Sequence, residues 1–219
     1  ADNQLRVRVQ PGLQNEAIPC YYAKSLYYDE LLVAAKLQGR RQISAEPDSR
    51  VLDWISDYCR KNRLQLSGQQ AAAVAAIAGC SFSILTGGPG CGKTTTTEVL
   101  VRLLESMDKR VLLAAPTGRA AQRMGEVIGR EAKTLHRLLE WQFGSFQRNE
   151  DKPLQADFLI IDECSMLDIS LTASLLAAVP EDCSVLFIGD ADQLPSVGAG
   201  NVLRDIIESG LLPSFRLTE

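Results

Sequence analysis

The residues Gly87-Gly88-Pro89-Gly90-Cys91-Gly92-Lys93-Thr94 match the pattern G-x-x-x-x-G-K-[ST] at every fixed position. Glycines at this spacing let the backbone curl so that successive amide N–H groups point at phosphate oxygens. A helix starting at Lys93 adds the partial positive charge of its N-terminus. In such a loop the Lys93 ammonium reaches the β- and γ-phosphates of a nucleoside triphosphate, the Thr94 hydroxyl ligates Mg²⁺, and Thr95 continues the cradle. A glycine-rich turn that holds no nucleotide could share the spacing. It would not need the apolar Ser83-Ile84-Leu85-Thr86 strand before it and the helical pattern after it. The loop alone implies nucleotide binding and leaves the reaction open, since kinases, GTPases, transporters and motors all use one.

A second chemical group stands at Phe158-Leu159-Ile160-Ile161-Asp162-Glu163, an apolar strand that delivers two carboxylates at its C-terminal end. Ligands bind at that edge of a parallel sheet. Asp162 suits the outer coordination of Mg²⁺, and Glu163 suits polarising a water for in-line attack on the γ-phosphate. A kinase of small molecules needs no hydrolytic base, so the pair favours an NTPase. In isolation Asp-Glu at a strand end is an ordinary solvated pair; the phosphate loop gives it a chemical context.

The elements that must position these groups follow from the texture of the chain. From Phe82 onward short apolar runs alternate with helical patterns. Strands are expected at Phe82–Thr86, Arg110–Ala115, Phe158–Asp162 and Val185–Gly189, and helices at Lys93–Ser106, Gly118–Ile128, Ile169–Val179 and Asn201–Ser209. Strands apolar on both faces, alternating with helices, imply an α/β domain whose parallel sheet is covered on both sides. Ahead of it, Leu5-Arg6-Val7-Arg8-Val9 alternates like a short strand ended by Pro11-Gly12. A helix over Ala23–Gln38 should present Tyr27, Leu31, Ala34 and Ala35, and one over Asp48–Lys61 should present Val51, Trp54, Ile55 and Tyr58. A third, capped by Ser67, should run to Ala78. The expected division is a small, mostly helical region over 1–64 and an α/β domain over 65–219.

Bulk composition narrows the classes further. With 46% hydrophobic and 23% charged residues the chain is neither disordered nor collagen-like. No apolar run approaches a membrane span and the first residues lack a signal-peptide pattern, so a cytoplasmic protein with no membrane partner is expected. The six cysteines (Cys20, Cys59, Cys80, Cys91, Cys164 and Cys183) form no C-x-x-C pair, which argues against a disulfide framework and against a zinc or iron–sulfur site. A net charge of −4 gives no global field for nucleic acid, so any contact needs a local basic surface. One exists: Pro116 to Arg148 carries six basic residues (Arg119, Arg123, Arg130, Lys133, Arg137, Arg148) against three acidic ones. The same charges would serve as a solvated face, and Trp141, Phe143 and Phe146 within the stretch could anchor a loop as readily as stack on bases.

Three further stretches carry a family resemblance. Ala115-Pro116-Thr117-Gly118-Arg119-Ala120-Ala121 follows the second α/β strand. Asp162-Glu163-Cys164-Ser165-Met166 extends the acidic pair. Gly189-Asp190-Ala191-Asp192-Gln193-Leu194-Pro195-Ser196-Val197-Gly198-Ala199-Gly200 closes the last strand. With the phosphate loop they resemble, in order and spacing, motifs I, Ia, II and III of superfamily 1 DNA helicases. Their wording is similar to the RecD-like, 5′-to-3′ branch, the exodeoxyribonuclease V alpha-subunit type. Leu66-Ser67-Gly68-Gln69-Gln70-Ala71-Ala72-Ala73 resembles the Q motif. Thr134-Leu135-His136-Arg137-Leu138-Leu139 and the text from Phe146 to Asp157 also look RecD-like, so the resemblance runs from about residue 20 to the end.

The resemblance implies a RecA-like P-loop NTPase fold that uses ATP and Mg²⁺ and acts on single-stranded DNA, with recombination or repair subunits as further partners. It implies that Gln70 reads the adenine edge and that Gln193 senses the γ-phosphate alongside Lys93, Asp162 and Glu163. Pro116, Thr117, Arg119 and His136 are implied to contact the strand. Such helicases place ATP between two RecA-like domains, the second supplying arginines worth about 10³–10⁵ in rate. Phe215-Arg216-Leu217-Thr218-Glu219 looks like the lead-in to motif IV. The chain is therefore expected to be the first motor domain alone, binding ATP and hydrolysing it poorly. Conjugative relaxase-type and Pif-type helicases carry similar motifs, and a non-motor P-loop ATPase or a non-catalytic binding module shares the loop; Gln193 in its setting argues against the ATPase, and intact Lys93, Thr94, Asp162 and Glu163 argue against the module.

Overall fold

The computed structural model describes residues 5–11, 16–40 and 49–218. Gly12, Asp48 and Glu219, on which the turn, the second helix's start and the motif IV lead-in partly rest, lie outside the described residues.

The expected α/β architecture is present. Six parallel strands form the sheet: β3 (Phe82–Gly87), β4 (Val111–Ala115), β5 (Ala132–Thr134), β8 (Phe158–Ile161), β9 (Ser184–Gly189) and β10 (Ser214–Leu217). Their spatial order is β10-β3-β9-β8-β4-β5. The helices that return the chain are α3 (Gly68–Ala78), α4 (Lys93–Ser106), α5 (Gly118–Ile128), α6 (Leu135–Leu138), α7 (Ile169–Ala178) and α8 (Val202–Ser209). α4 and α5 coincide with the helical patterns read from the sequence.

Period-two alternation of each strand divides the core into two layers. Ile84, Leu159, Ile161, Val185 and Phe187 point to one face, where α6, α7 and α8 pack. Leu85, Phe158, Ile160, Leu186 and Ile188 point to the other, covered by α3, α4 and α5. All four residues of β8 are buried, as expected of a strand covered on both faces.

The N-terminal segment joins both layers. An antiparallel hairpin of β1 (Leu5–Pro11) and β2 (Ala17–Ala23) leads into α1 (Lys24–Gln38), and α2 (Ser49–Asn62) follows. α2 presents the expected stripe: Ile55 is buried in the second layer with Val51, Trp54 and Tyr58 against it, and the Trp54 and Tyr58 rings stack at 5.0 Å. The face expected for α1 is corrected. Val33 and Leu37 are its buried residues, packed in the first layer, while Leu31, Ala34 and Ala35 are exposed. Apolar residues surround this helix, so its sequence does not choose a face; contact with α7 does. Arg40, just past α1, donates to the Cys183 and Pro180 carbonyls and lies over the Phe82 ring, fixing the helix end to the N-terminal rim of the central strands β3 and β9.

Candidate nucleotide site

The phosphate loop lies between β3 and α4. α4 starts at Lys93 behind Gly92, whose φ of +73° is left-handed. A Cβ on Gly92 would also overlap the side-chain amide nitrogen of Gln70, so this position needs glycine twice over. Gln70 is the third residue of a capping box: its amide N–H donates to the Ser67 hydroxyl at 3.2 Å while its side-chain oxygen accepts from the Ser67 N–H at 3.0 Å. Its side-chain NH₂ then donates to the Cys91 carbonyl at 3.2 Å. Gln70, expected at the adenine edge, is here committed to holding helix α3 against the loop.

Lys93 turns back on the loop, its ammonium donating to the carbonyls of Gly87 at 2.5 Å and Gly88 at 2.8 Å. A Cβ on Gly87 would meet the Leu217 carbonyl at 2.6 Å, so the edge strand β10 closes tightly over the loop's first residue. Gln69 reinforces that edge, donating to the Arg216 carbonyl and accepting from the Thr218 N–H.

β8 delivers the acids from the far side of β9. Asp162 Oδ1 accepts the Glu163 N–H at 2.8 Å, leaving the rest of its carboxylate directed to the cavity. Glu163 holds a left-handed backbone (φ 55°, ψ 41°), which a non-glycine residue adopts at a cost of about 1 kcal/mol or more. Strain of this kind is kept where the surroundings require a side chain to be aimed. Burial raises the Asp162 carboxyl above the ordinary range, against the opposing pull of the Glu163 N–H and of Lys93 and Arg123. Glu163 is raised by burial and then by the Asp162 charge, with the same two cations opposing. Two desolvated acids facing one cavity are chemically suited to a divalent cation.

These groups share one cavity of about 320 Å³ at the C-terminal rim of the sheet. Pro89, Gly90, Gly92, Lys93, Thr94, Thr95, Asp162, Glu163 and Gln193 all line it, so the structure brings together most of the sequence-predicted nucleotide residues. Gly87, Gly88 and Cys91 shape it through their carbonyls, and Gln70 stands behind it. The Gln193 side chain accepts from the Ser165 hydroxyl at 3.3 Å, tying the loop after β9 to the turn after β8. The donor set of one carboxylate, one hydroxyl and substrate oxygens is the kind that suits Mg²⁺, which keeps several waters and demands few protein ligands. Among the described residues no cluster of three His, Cys, Asp or Glu side chains could hold a metal unaided.

Two ionisable lining residues, Asp190 and Arg123, were not assigned to this site from the sequence. Asp190 is buried and accepts from the Asp192 N–H at 3.0 Å.

The residues expected on DNA occupy the adjoining rim, after β4 and β5. Thr117 caps α5, accepting from the Ala120 N–H, and Thr134 caps α6, accepting from the Arg137 N–H. Pro116 and Arg119 flank the first cap and His136 follows the second. The His136 ring packs on Trp141 and Phe146, which meet edge to face at 4.6 Å across the hairpin β6 (Trp141–Gln142) and β7 (Ser145–Phe146). The basic stretch is partly spent internally: Arg130 pairs with Glu105, Lys133 with Glu131, and Arg148 with Glu140.

Comparison with known proteins gives the family and the fold. Residues 69–199 match the family described as an AAA domain. The chain is 47% identical over 167 residues to an ATP-dependent RecD2 DNA helicase of Deinococcus radiodurans, covering 76% of this chain and 23% of that protein. It is 33% identical over 232 residues to the RecBCD enzyme subunit RecD of Mycobacterium tuberculosis, covering 95% of this chain and 40% of that one. The chain thus spans less than half the length of either. A Pif1 helicase solved in work on unwinding at forked duplex DNA superposes with a TM-score of 0.50 at 25% identity, over 71% of this chain and 44% of that one.

Proposed function

Because the chain belongs to the AAA domain family and is RecD-like in sequence, we propose that it is the ATP-binding first motor domain of a 5′-to-3′ DNA helicase of recombination or repair. The observation that carries this reading is the shared cavity: phosphate-loop residues, Lys93, Thr94, Asp162, Glu163 and Gln193 all line one space of about 320 Å³. Lys93 neutralises the outer phosphates, Thr94 and Asp162 hold Mg²⁺, and Glu163 orients the attacking water. In this reading Gln193, linked through Ser165 to the turn that follows both acids, registers the terminal phosphate. Residues 65–219 form the motor domain in this reading, and α1 and α2 of the 1–64 region pack on it. The partners are single-stranded DNA and, as the RecBCD relative suggests, other repair subunits. All six cysteines are free thiols, which supports a reducing cytoplasm. No described helix is long and apolar enough to cross a membrane.

The DNA part is testable on the 219-residue chain with a labelled single-stranded oligonucleotide, a non-hydrolysable ATP analogue and Mg²⁺. Fluorescence anisotropy should report binding that weakens as salt rises. Replacing Arg119 and Arg137 by alanine should remove about two phosphate contacts and flatten the log–log salt slope by about 1.4. Absence of binding at low salt, or a double variant with an unchanged slope, counts against this surface as the DNA track.

A further inference from the structure

The basic stretch from Pro116 to Arg148 reads in sequence as one surface, but α5 divides it. Ala121, Met124 and Ile128 face the core, and the adjoining stripe of Ala120 and Arg123 faces the nucleotide cavity. Arg119, one turn earlier, lies outside that cavity. The Arg123 guanidinium makes no hydrogen bond or ion pair with any described residue, and Glu126, the acid nearest to it on the helix, accepts instead from Gln122 at 2.8 Å. Lys93 is by contrast engaged with two loop carbonyls.

Charge balance gives this uncommitted cation a purpose. Three carboxylates line the cavity (Asp162, Glu163 and Asp190) against two cations (Lys93 and Arg123). A Mg²⁺ ion offsets two of the acids, and a triphosphate then adds several negative charges in a space of low dielectric. Lys93 cannot balance these alone. Arginine is the residue suited to the task, because its guanidinium stays ionised and presents a planar fork of donors to phosphate oxygens. Arg123 lines the same cavity as Asp162, Glu163 and Gln193, the residues assigned above to the metal, the attacking water and the terminal phosphate.

We propose that Arg123 binds the terminal phosphate of the nucleotide and lets the domain distinguish a triphosphate from a diphosphate, rather than contacting DNA. This rests on the nucleotide site proposed above. An empty guanidinium would take up the γ-phosphate as the cavity fills and would lose its ligand when that phosphate departs. Arg119, four residues before it on α5, belongs to the proposed DNA rim. One short helix would then carry a nucleotide-sensing residue and a strand-contacting residue on successive turns.

The test uses the 219-residue chain, calorimetric titration with Mg-ADP and with a non-hydrolysable Mg-ATP analogue, and anisotropy with single-stranded DNA. Arg123→Ala should weaken the ATP analogue about tenfold, the loss of one charge-assisted phosphate contact, while ADP affinity stays within about twofold. Arg123→Lys should recover part of the loss, because a point charge remains but the fork does not. Since Arg123 is exposed, both variants should melt with the native chain. Equal losses for ADP and the ATP analogue would overturn the proposal, as would unchanged nucleotide affinities with a flatter DNA salt slope. If the native chain binds neither nucleotide, the site reading fails and this inference with it. Native binding of both with no selective loss in Arg123→Ala sinks the inference alone.

Discussion

Lys93→Ala is expected to weaken Mg-nucleotide binding by on the order of a hundredfold, about 3 kcal/mol, from two lost charge-assisted contacts. The ammonium is one of two cations in a cavity lined by three carboxylates. It also donates to the Gly87 and Gly88 carbonyls, so in the free protein it helps hold the loop in its curled shape. Alanine removes both roles: the phosphates lose their main counter-charge, and the two carbonyls lose a donor. Buried Val99, Leu100, Leu103 and Leu104 hold α4 in the core, so the variant should fold normally. Titration calorimetry measures the effect directly. An affinity equal to that of the native chain would remove the phosphate loop from the account.

Phe187→Ala should cost about 3–5 kcal/mol of stability. Phe187 lies at the middle of β9, buried to 1% exposure, with its ring edge-on to Phe82 at 6.2 Å. β9 separates the strand that ends in the phosphate loop from the strand that ends in Asp162. A cavity there loosens the spacing on which the site depends, so nucleotide binding should fall along with the melting temperature. For a chain of this size the midpoint should drop by about 10 °C. Phe143, fully exposed at the hairpin tip, serves as the comparison; Phe143→Ala should stay within about 0.5 kcal/mol of the native chain. A Phe187 variant as stable as the Phe143 variant would mean that the central strand is not placed as described.

Much of this was legible in the sequence because local and global signals agree. The residues of α4 follow from Gly92 and the loop's own geometry, and β8 is an apolar run bounded by the acids it delivers. Elements whose placement depends on distant partners were not legible. β10 is four residues long with an exposed arginine, and it read as a lead-in to a later motif. Its position beside β3 is held by Gln69, far away in the chain. The α1 face was misread because a helix apolar on several sides takes its orientation from α7. Arg123 merged into a basic stretch because composition gives charge without direction; only the pitch of α5 turns it from the rim proposed for DNA into the cavity proposed for nucleotide. Gln70 shows a different lesson. The Ser-x-x-Gln pattern that makes it a capping-box residue stood in the sequence, beside the family likeness that assigned it to the base. Its side chain can serve the base only by leaving the Ser67 and Cys91 partners it now holds.

Nucleotide is proposed to bind at the rim where β3, β8 and β9 end. Hydrogen exchange of the backbone amides, followed peptide by peptide with and without saturating Mg-ADP, tests it most directly. Slowed exchange across Gly88–Thr95 and around Asp162–Glu163, with the β1–β2 hairpin unchanged, is the predicted result. Protection confined to other segments, or none anywhere at saturation, would contradict it.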